Sequence, residues 1–370
     1  MIGKKVKINS PQCIEVHDQV GDSDLKSDMK KIIVIGGGFA GASATKILEE
    51  KFDVTLIDTK RYFEFTPGVP RAIVEPQHLA SLRILHSVYL KQAKVILGKA
   101  DRISKNIVRV NGTKIIFDYC VICSGSRYKP PIKIQALNPS RLFTIEKYHR
   151  DLEKAGTVLI IGGGLVGIEL AGEICNAYPS KKVILAHSHD RLGERMVAAA
   201  SKYFYDYLSQ KGVRVLLNTE VTGQKGKSFS TKKGGAITAD RAFLCTGIEP
   251  NSEFVAKTMP SSLDGRGHVL VNKYLQVKGF RTIFAAGDVN NVREEKTAQN
   301  AREQVKIVVK NIISLECKKS LKPYLPGERV MVTSLGKYNG VITYRDFSFT
   351  GILAGLLKHL IEWGILWKYR

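Results

Sequence analysis

Two copies of one glycine fingerprint stand 126 positions apart and fix most of what this chain of 370 residues can become. The first reads Ile32-Ile33-Val34-Ile35-Gly36-Gly37-Gly38-Phe39-Ala40-Gly41. The second reads Val158-Leu159-Ile160-Ile161-Gly162-Gly163-Gly164-Leu165-Val166-Gly167. A lone G-x-G-x-x-G carries little weight, because glycine-rich turns are common. Here each copy follows an apolar strand and opens a helix, the context the motif needs to bind a dinucleotide. Two such units imply two dinucleotides and electron transfer between them. In each unit one glycine permits the tight turn, one lets a pyrophosphate approach the backbone, and one lets helix and strand pack closely. The helix start presents free N–H groups and about half a positive charge to the phosphates. A β-branched residue at Gly38 or Gly164 would block that approach.

Local patterning places these units in a repeated order. Lys31 to Ile35 reads as a strand, Ala40 to Glu50 as a helix and Val54 to Ile57 as a second strand ending at Asp58. Residues 94–123 read as a small antiparallel meander. It runs from Val95-Ile96-Leu97 through Ile107 to Val110, turns at Asn111-Gly112, continues through Ile115 to Phe117 and ends in Cys123-Ser124-Gly125-Ser126. A helix is expected near 145–155, then the second unit, whose second strand is Lys182 to Ala186. A second meander-like stretch, 213–245, ends in Cys245-Thr246-Gly247. Thr282 to Asp288 is one more strand ending in Gly287-Asp288, followed by a long helix at about 296–315. Lys318 to Glu328 is a basic, proline-bearing linker, and the remainder a small unit of two short strands and a last helix. The fold class is α/β, with two Rossmann-like dinucleotide-binding domains and a small C-terminal unit. The expected division is an N-terminal extension 1–30, a first domain over 31–145 and 266–316, a second over 146–265, and a C-terminal unit 317–370.

Composition narrows the chemistry. A formal net charge of +23 predicts attraction to something acidic, be it dinucleotide phosphates, an anionic membrane surface or nucleic acid. The basic residues are spread without a block, and no groove-reading motif is present, so nucleic acid is the least expected of these. Six scattered cysteines do not form a secreted disulfide framework, which points to a reducing, intracellular setting, cytoplasmic or mitochondrial. Cys120 and Cys123 form a C-x-x-C, but residues three apart in a strand face opposite sides of the sheet. Residues 1–30 lack the apolar run of a signal peptide and mix acids with lysines, unlike a transit peptide. Ile2 stands where myristoylation needs glycine. No 18-residue apolar run exists.

The two sites differ at the end of the second strand. Asp58 lies 22 residues after Gly36, near the ~20-residue spacing at which an acid meets a ribose hydroxyl. The second strand pair ends in His187-Ser188-His189-Asp190-Arg191, with no acid at 187. With His187 there and Arg191 nearby, the second site should tolerate NADPH and could prefer it to NADH. His187 and His189 find no clustered partner ligands, so no metal is expected.

The ordered set of motifs resembles the two-dinucleotide-domain flavoprotein reductases. It runs from the first fingerprint through Asp58, Tyr62 to Gly68, Asp118-Tyr119, Gly125-Ser126, Gly162 to Glu169, Thr246-Gly247 and Phe284 to Asp288. Within that family it is similar to the apoptosis-inducing-factor homologues of the ferroptosis-suppressor type and, more distantly, to type II NADH dehydrogenases. Val74-Glu75-Pro76, Tyr178 to Val183, Tyr274 to Gly279 and Ser334 to Lys337 carry the closer likeness. The resemblance covers about residues 31–345. It implies FAD on the first fingerprint and NAD(P)H on the second.

The same resemblance assigns roles. Gly287 and Asp288 fall at the ribityl–pyrophosphate region, and Gly125 and Gly247 in the small-residue turns. Arg71 matches a flavin-contacting arginine and Ala100 a backbone contact to the adenine. Lys296, near the start of the helix that points at the flavin's pyrimidine edge, would favour the reduced flavin. Glu169 sits between nicotinamide and flavin, placed to orient one or relay a proton. Gln299 fits the first of two glutamines that type II dehydrogenases carry beside the quinone, whereas Glu303 stands where the second would be. Disulfide reductases of this fold carry a C-x4-C on the first helix, yet residues 42–60 contain no cysteine. Electrons should therefore leave the flavin directly for an external acceptor.

The C-terminal segment bears on that acceptor. Leu353, Leu356, Leu357, Leu360, Trp363 and Trp367 fall on one broad helical stripe, with Lys358 and Glu362 as an i,i+4 pair elsewhere. From Lys318 onward nine lysines and arginines face three acids. A helix of this kind suits the surface of a membrane. The resulting expectation is a peripheral-membrane NAD(P)H:quinone oxidoreductase, as monomer or homodimer. Two alternatives remain open: a reductase of a small electron-transfer protein, and an apoptosis-inducing-factor-like protein with a nucleic-acid-binding or death-signalling role.

Overall fold

A computed structural model describes residues 29–133, 141–328 and 330–370. The N-terminal extension, including Cys13, falls almost wholly outside the described residues.

The chain opens with β1 (Lys31–Ile35), whose last four residues are all buried because both faces of the sheet are covered. Helix α1 (Phe39–Leu48) starts directly after Gly38, and β2 (Asp53–Asp58) returns parallel to β1. After α2 (Val69–Val74) the strand β3 (Lys94–Leu97) pairs parallel with β2. Val95 to Leu97 was expected in the antiparallel meander and belongs instead to the central sheet. A short apolar run carries no mark of its partner's direction, and tertiary packing decides it. The meander proper is β4 (Ala100–Ile103), β5 (Ile107–Val110) and β6 (Thr113–Ile116). Asn111 and Gly112 join β5 to β6 with φ of 50° and 82°, the positive pair a tight hairpin requires. Next comes β7 (Tyr119–Ile122), beside β1. Cys120 and Cys123 bury in separate apolar clusters, as opposite faces demand. Burial pushes both thiols well up, which suits inert core residues.

The second unit repeats the plan. After α3 (Arg141–Lys154), β8 (Thr157–Ile161), α4 (Leu165–Ala177) and β9 (Lys182–Ala186) form its βαβ. Helix α5 (Ala198–Gln210) leads to β10 (Arg214–Leu216), again parallel rather than part of a meander. An antiparallel trio follows, β11 (Val221–Lys225), β12 (Ser228–Thr231) and β13 (Ala236–Thr238), then β14 (Arg241–Leu244) beside β8. The second sheet therefore runs β10-β9-β8-β14.

Phe254 and Val255 already pack with Ile103 and Val108, so the chain is back in the first body before the expected return at 266. There β15 (Ile283–Ala285) completes the first sheet in the order β15-β7-β1-β2-β3. Helix α6 (Ala298–Glu316), capped by the Thr297 hydroxyl accepting from the Asn300 N–H, packs on α1. The C-terminal unit has three antiparallel strands where two were expected: β16 (Met331–Leu335), β17 (Asn339–Tyr344) and β18 (Phe347–Gly351). The last helix, α7 (Ile352–Trp367), follows. Just beyond it Tyr369 buries in the first body. Its ring stacks on Phe63 at 4.6 Å, and its hydroxyl shares a hydrogen bond with Ser43 at 2.8 Å. Among the described residues no helix is long and apolar enough to cross a membrane.

Candidate functional site

The two fingerprints fold into the same backbone shape for steric reasons. Gly36 and Gly162 turn with φ of 99° and 108°, and a Cβ at either would lie 2.5 or 2.7 Å from the carbonyl oxygen of Cys123 or Cys245. A Cβ at Gly41 or Gly167 would meet the carbonyl oxygen of Gly36 or Gly162 at 1.6 or 1.9 Å, so only glycine lets helix and strand pack. Gly38 and Gly164 differ: a Cβ there would meet nothing within 4 Å and would project into open space. Both are the N-caps of their helices, and neither supplies a side-chain cap. The first amides of α1 and α4 are thus left for an outside acceptor, as a pyrophosphate cradle requires. The residues present fit two dinucleotides.

Both cradles open into one cavity of about 1630 Å³. Gly36, Gly37, Gly38, Phe39, Ala40, Asp58, Ala100 and Gly125 line its first half, and Gly162, Gly164, Glu169, His187 and Gly247 its second. Gly287, Asp288, Lys296 and Gln299 close it from the return segment. Gly41 and Gly167 stand behind the cradles as packing residues. Arg71, expected at the flavin, does not line the cavity. Its guanidinium donates to Glu173 at 3.1 Å and contacts His359 of α7, so it ties α2 and α4 to the last helix.

Register makes Asp58 and His187 equivalent. Ile57 pairs with Ile35 before Gly36, and Ala186 pairs with Ile161 before Gly162, so each next residue faces the second fingerprint glycine. A Cβ at Gly37 would lie 2.4 Å from Asp58 Oδ2, and one at Gly163 2.8 Å from the His187 ring. The partners are reversed. Asp58 meets Nε2 of buried His86 at 2.9 Å, and Nδ1 of His86 meets the Tyr89 hydroxyl at 2.6 Å. His187 accepts the Gly163 N–H on Nδ1 at 3.1 Å, and its Nε2 lies 3.3 Å from the Glu194 carboxylate. Neither His86 nor Glu194 was singled out in the sequence. Among the described residues no three potential ligands cluster as a metal site.

On the return segment Asp288 accepts from the Ser126 hydroxyl at 2.6 Å and from Lys133 at 2.8 Å. Burial pushes its carboxyl up, but the Lys133 charge, those two hydrogen bonds and nearby Lys296 outweigh it and hold Asp288 below the usual range. Burial lowers Lys296, which donates to the carbonyl oxygens of Asn290 and Val292 and so braces its own loop. Gln304, also missed, is buried and accepts the Gly287 N–H at 2.8 Å, fixing the Gly287-Asp288 turn from α6. Glu303 does not line the cavity and pairs with Lys306.

Glu169 is buried at the start of α4, in contact with the Lys358 ammonium and accepting the Ser334 N–H at 3.1 Å. Lys358 also donates to the Ser334 hydroxyl at 2.7 Å. The expected Lys358–Glu362 pair does not form, because Glu362 meets His78 instead. Lys358, Ile361 and Ile365 of α7 line the cavity. The other face of the helix is bare, with Leu353, Leu360, Trp363 and Trp367 each more than 60% exposed.

A model of the pyridine nucleotide-disulphide oxidoreductase family matches residues 30–304. Ferroptosis suppressor protein 1 of Taeniopygia guttata is 31% identical over 345 residues, covering 89% of this chain and 92% of that protein. Apoptosis-inducing factor homolog A of Dictyostelium discoideum is 30% identical over 370 residues, covering 90% and 89%. Two solved structures share the fold with a TM-score of 0.80 each. They are the sulfide:quinone oxidoreductase from Aquifex aeolicus (20% identical, 92% of this chain and 91% of that one) and NDH2 from Plasmodium falciparum in complex with NADH (14% identical, 92% and 96%).

Proposed function

The chain belongs to the pyridine nucleotide-disulphide oxidoreductase family, a flavoprotein oxidoreductase using FAD and NAD(P)H, and we propose that it passes electrons to a quinone at a membrane surface. When bound, FAD accepts two electrons from NAD(P)H and passes them to an acceptor. The first fingerprint and Asp58 would hold the flavin nucleotide, with Asp288 at its ribityl chain; the second fingerprint and His187 would hold NAD(P)H.

One observation carries the acceptor. Helix α7 lines the cavity with Lys358, Ile361 and Ile365 while its opposite face exposes Leu353, Leu360, Trp363 and Trp367. A single helix thus joins the reaction space to an unpartnered apolar surface, as an interfacial helix would. Lys368 directly follows Trp367, and burial together with the charges of Arg302 and Lys306 lowers it, so basic residues gather near the end of the helix. Such a rim suits anionic headgroups. Gln299 lines the cavity at the start of α6, where it can hydrogen-bond a quinone carbonyl. Lys358 is a second donor on the α7 side.

Stopped-flow spectroscopy tests the proposal, with flavin reduced by NADH and reoxidised by ubiquinone analogues with and without anionic liposomes. Rapid reoxidation, accelerated by liposomes, is expected. Failure of every quinone, with rapid reoxidation by an acidic iron–sulfur carrier, would replace it with a carrier-reductase reading. The liposome arm is lost first in a Leu360→Ser, Trp363→Ser double variant.

A further inference from the structure

The sequence offers Arg191 to a 2′-phosphate and no acid at the end of β9. The folded chain exchanges their places. Arg191 turns back onto the carbonyl oxygen of Glu194 at 2.6 Å and does not line the cavity. Glu194 does line it, with its carboxylate 3.3 Å from His187. His187 occupies the register position of Asp58, the place where an acid meets the adenosine ribose.

We propose that Glu194 is the ribose-selecting acid of the second site, supplied from the loop after β9 rather than from the strand end, and that it makes the site prefer NADH to NADPH. The proposal rests on the second fingerprint being the nicotinamide-dinucleotide site.

Hydrogen bonding fixes the charge presented there. Nδ1 of His187 accepts from the Gly163 N–H, so in the neutral ring Nε2 carries the proton and faces the Glu194 carboxylate. The pair as a whole bears one negative charge. Burial holds the His187 imidazole below its ordinary range and so keeps it neutral. Partial burial raises Glu194, but its own backbone N–H and neighbouring charge, Arg195 included, outweigh that and hold it below its ordinary range. A ribose diol can donate to this carboxylate, whereas a 2′-phosphate meets it as a like charge. Arg195, next to Glu194 on the same loop, lies 3.3 Å from Glu295, which lines the same cavity. His189 packs against the His187 ring, 5.2 Å between centroids.

Calorimetric titration of the FAD-loaded protein with ADP-ribose and with 2′-phospho-ADP-ribose tests this without turnover. Wild type should bind ADP-ribose at least ~10-fold more tightly, a difference of about 1.4 kcal/mol. Glu194→Gln should bring the two affinities together, and Glu194→Arg should invert them. Arg191→Gln should leave the ratio as it is. Equal affinities in the wild type, or an unchanged ratio in Glu194→Gln, would overturn the inference while leaving the second-site reading in place. Binding of neither fragment by yellow, folded protein would overturn both.

Discussion

The two fingerprints share a backbone and differ in what stands behind it. At the first, the acid sits on the strand end and a histidine from a helical turn hydrogen-bonds it; at the second, the histidine sits on the strand end and a loop acid stands 3.3 Å from it. Burial separates them further. The His86 and Asp58 side chains are 1% and 7% exposed, those of His187 and Glu194 6% and 31%. A sealed pair suits a cofactor that stays, and a half-open one suits a nucleotide that enters and leaves each cycle. On the proposed assignment, the glycine backbone supplies the general grip on pyrophosphate, and the side-chain pair beside it sets tenure and sugar preference.

The strongest way to break this comparison is at the glycines. Gly41→Val forces side-chain atoms into the Gly36 carbonyl, and overpacking of a fixed backbone costs about 1–3 kcal/mol or more. We expect little folded flavoprotein, read as a lost thermal transition. Gly38→Val, whose side chain faces open space, should fold with a near-native transition yet come out colourless. Gly164→Val should stay yellow but resist reduction by NADH. A yellow Gly38→Val protein would remove the first cradle from the flavin.

The supporting pair comes next. His86→Phe leaves the buried Asp58 carboxylate without its histidine, which costs about 1–3 kcal/mol and should weaken FAD retention on gel filtration. Glu194→Gln, on the half-exposed side, should change stability by less than about 0.5 kcal/mol. Equal losses in the two variants would erase the distinction between sealed and open pairs.

Acid gives the smallest separation. Burial lowers His187 below its ordinary 6.5, so between the two values the unfolded chain binds the proton that the folded chain refuses. Its stabilising contribution is present above about pH 6.5 and fades as pH falls. Asp288 is lowered from 3.8, so its contribution persists until pH falls through the acid range below about 4. Melting temperatures of wild type and His187→Gln should therefore converge from pH 7.5 to 5.5, and those of Asp288→Asn only well below that. A flat difference for His187→Gln would remove the histidine from the titration.

The sequence discloses what backbone sterics dictate and hides what the chain assembles at a distance. The fingerprints, Asp58 and the strand-end position of His187 are legible because glycine spacing and strand length set them locally. His86 reaches Asp58 from 28 residues away, and Lys358 reaches Glu169 from 189, with no periodic signal to announce either. Glu194, seven residues beyond His187, was within sight, but a loop acid shows its direction only once the loop is folded. Arg71 illustrates the converse, since a motif match placed it at the flavin and packing turned it toward Glu173. The parallel placement of β3 and β10 was hidden for the same reason, since both are short apolar runs whose neighbours are chosen by the finished sheet.

The strand order β15-β7-β1-β2-β3 also sets a timetable for synthesis. The first body begins near residue 31 but cannot close its sheet until Ile283–Ala285 has left the ribosome, and Tyr369 joins its aromatic cluster later still. The second body draws its whole sheet from one unbroken stretch, Thr157 to Leu244. On a growing chain, domains fold as units once complete. The second body should thus be finished while the first still waits, and on the proposed assignment FAD would be captured only near the end of translation. Protease protection of stalled nascent chains, lengthened stepwise past residues 244 and 285, would show the two bodies closing in that order.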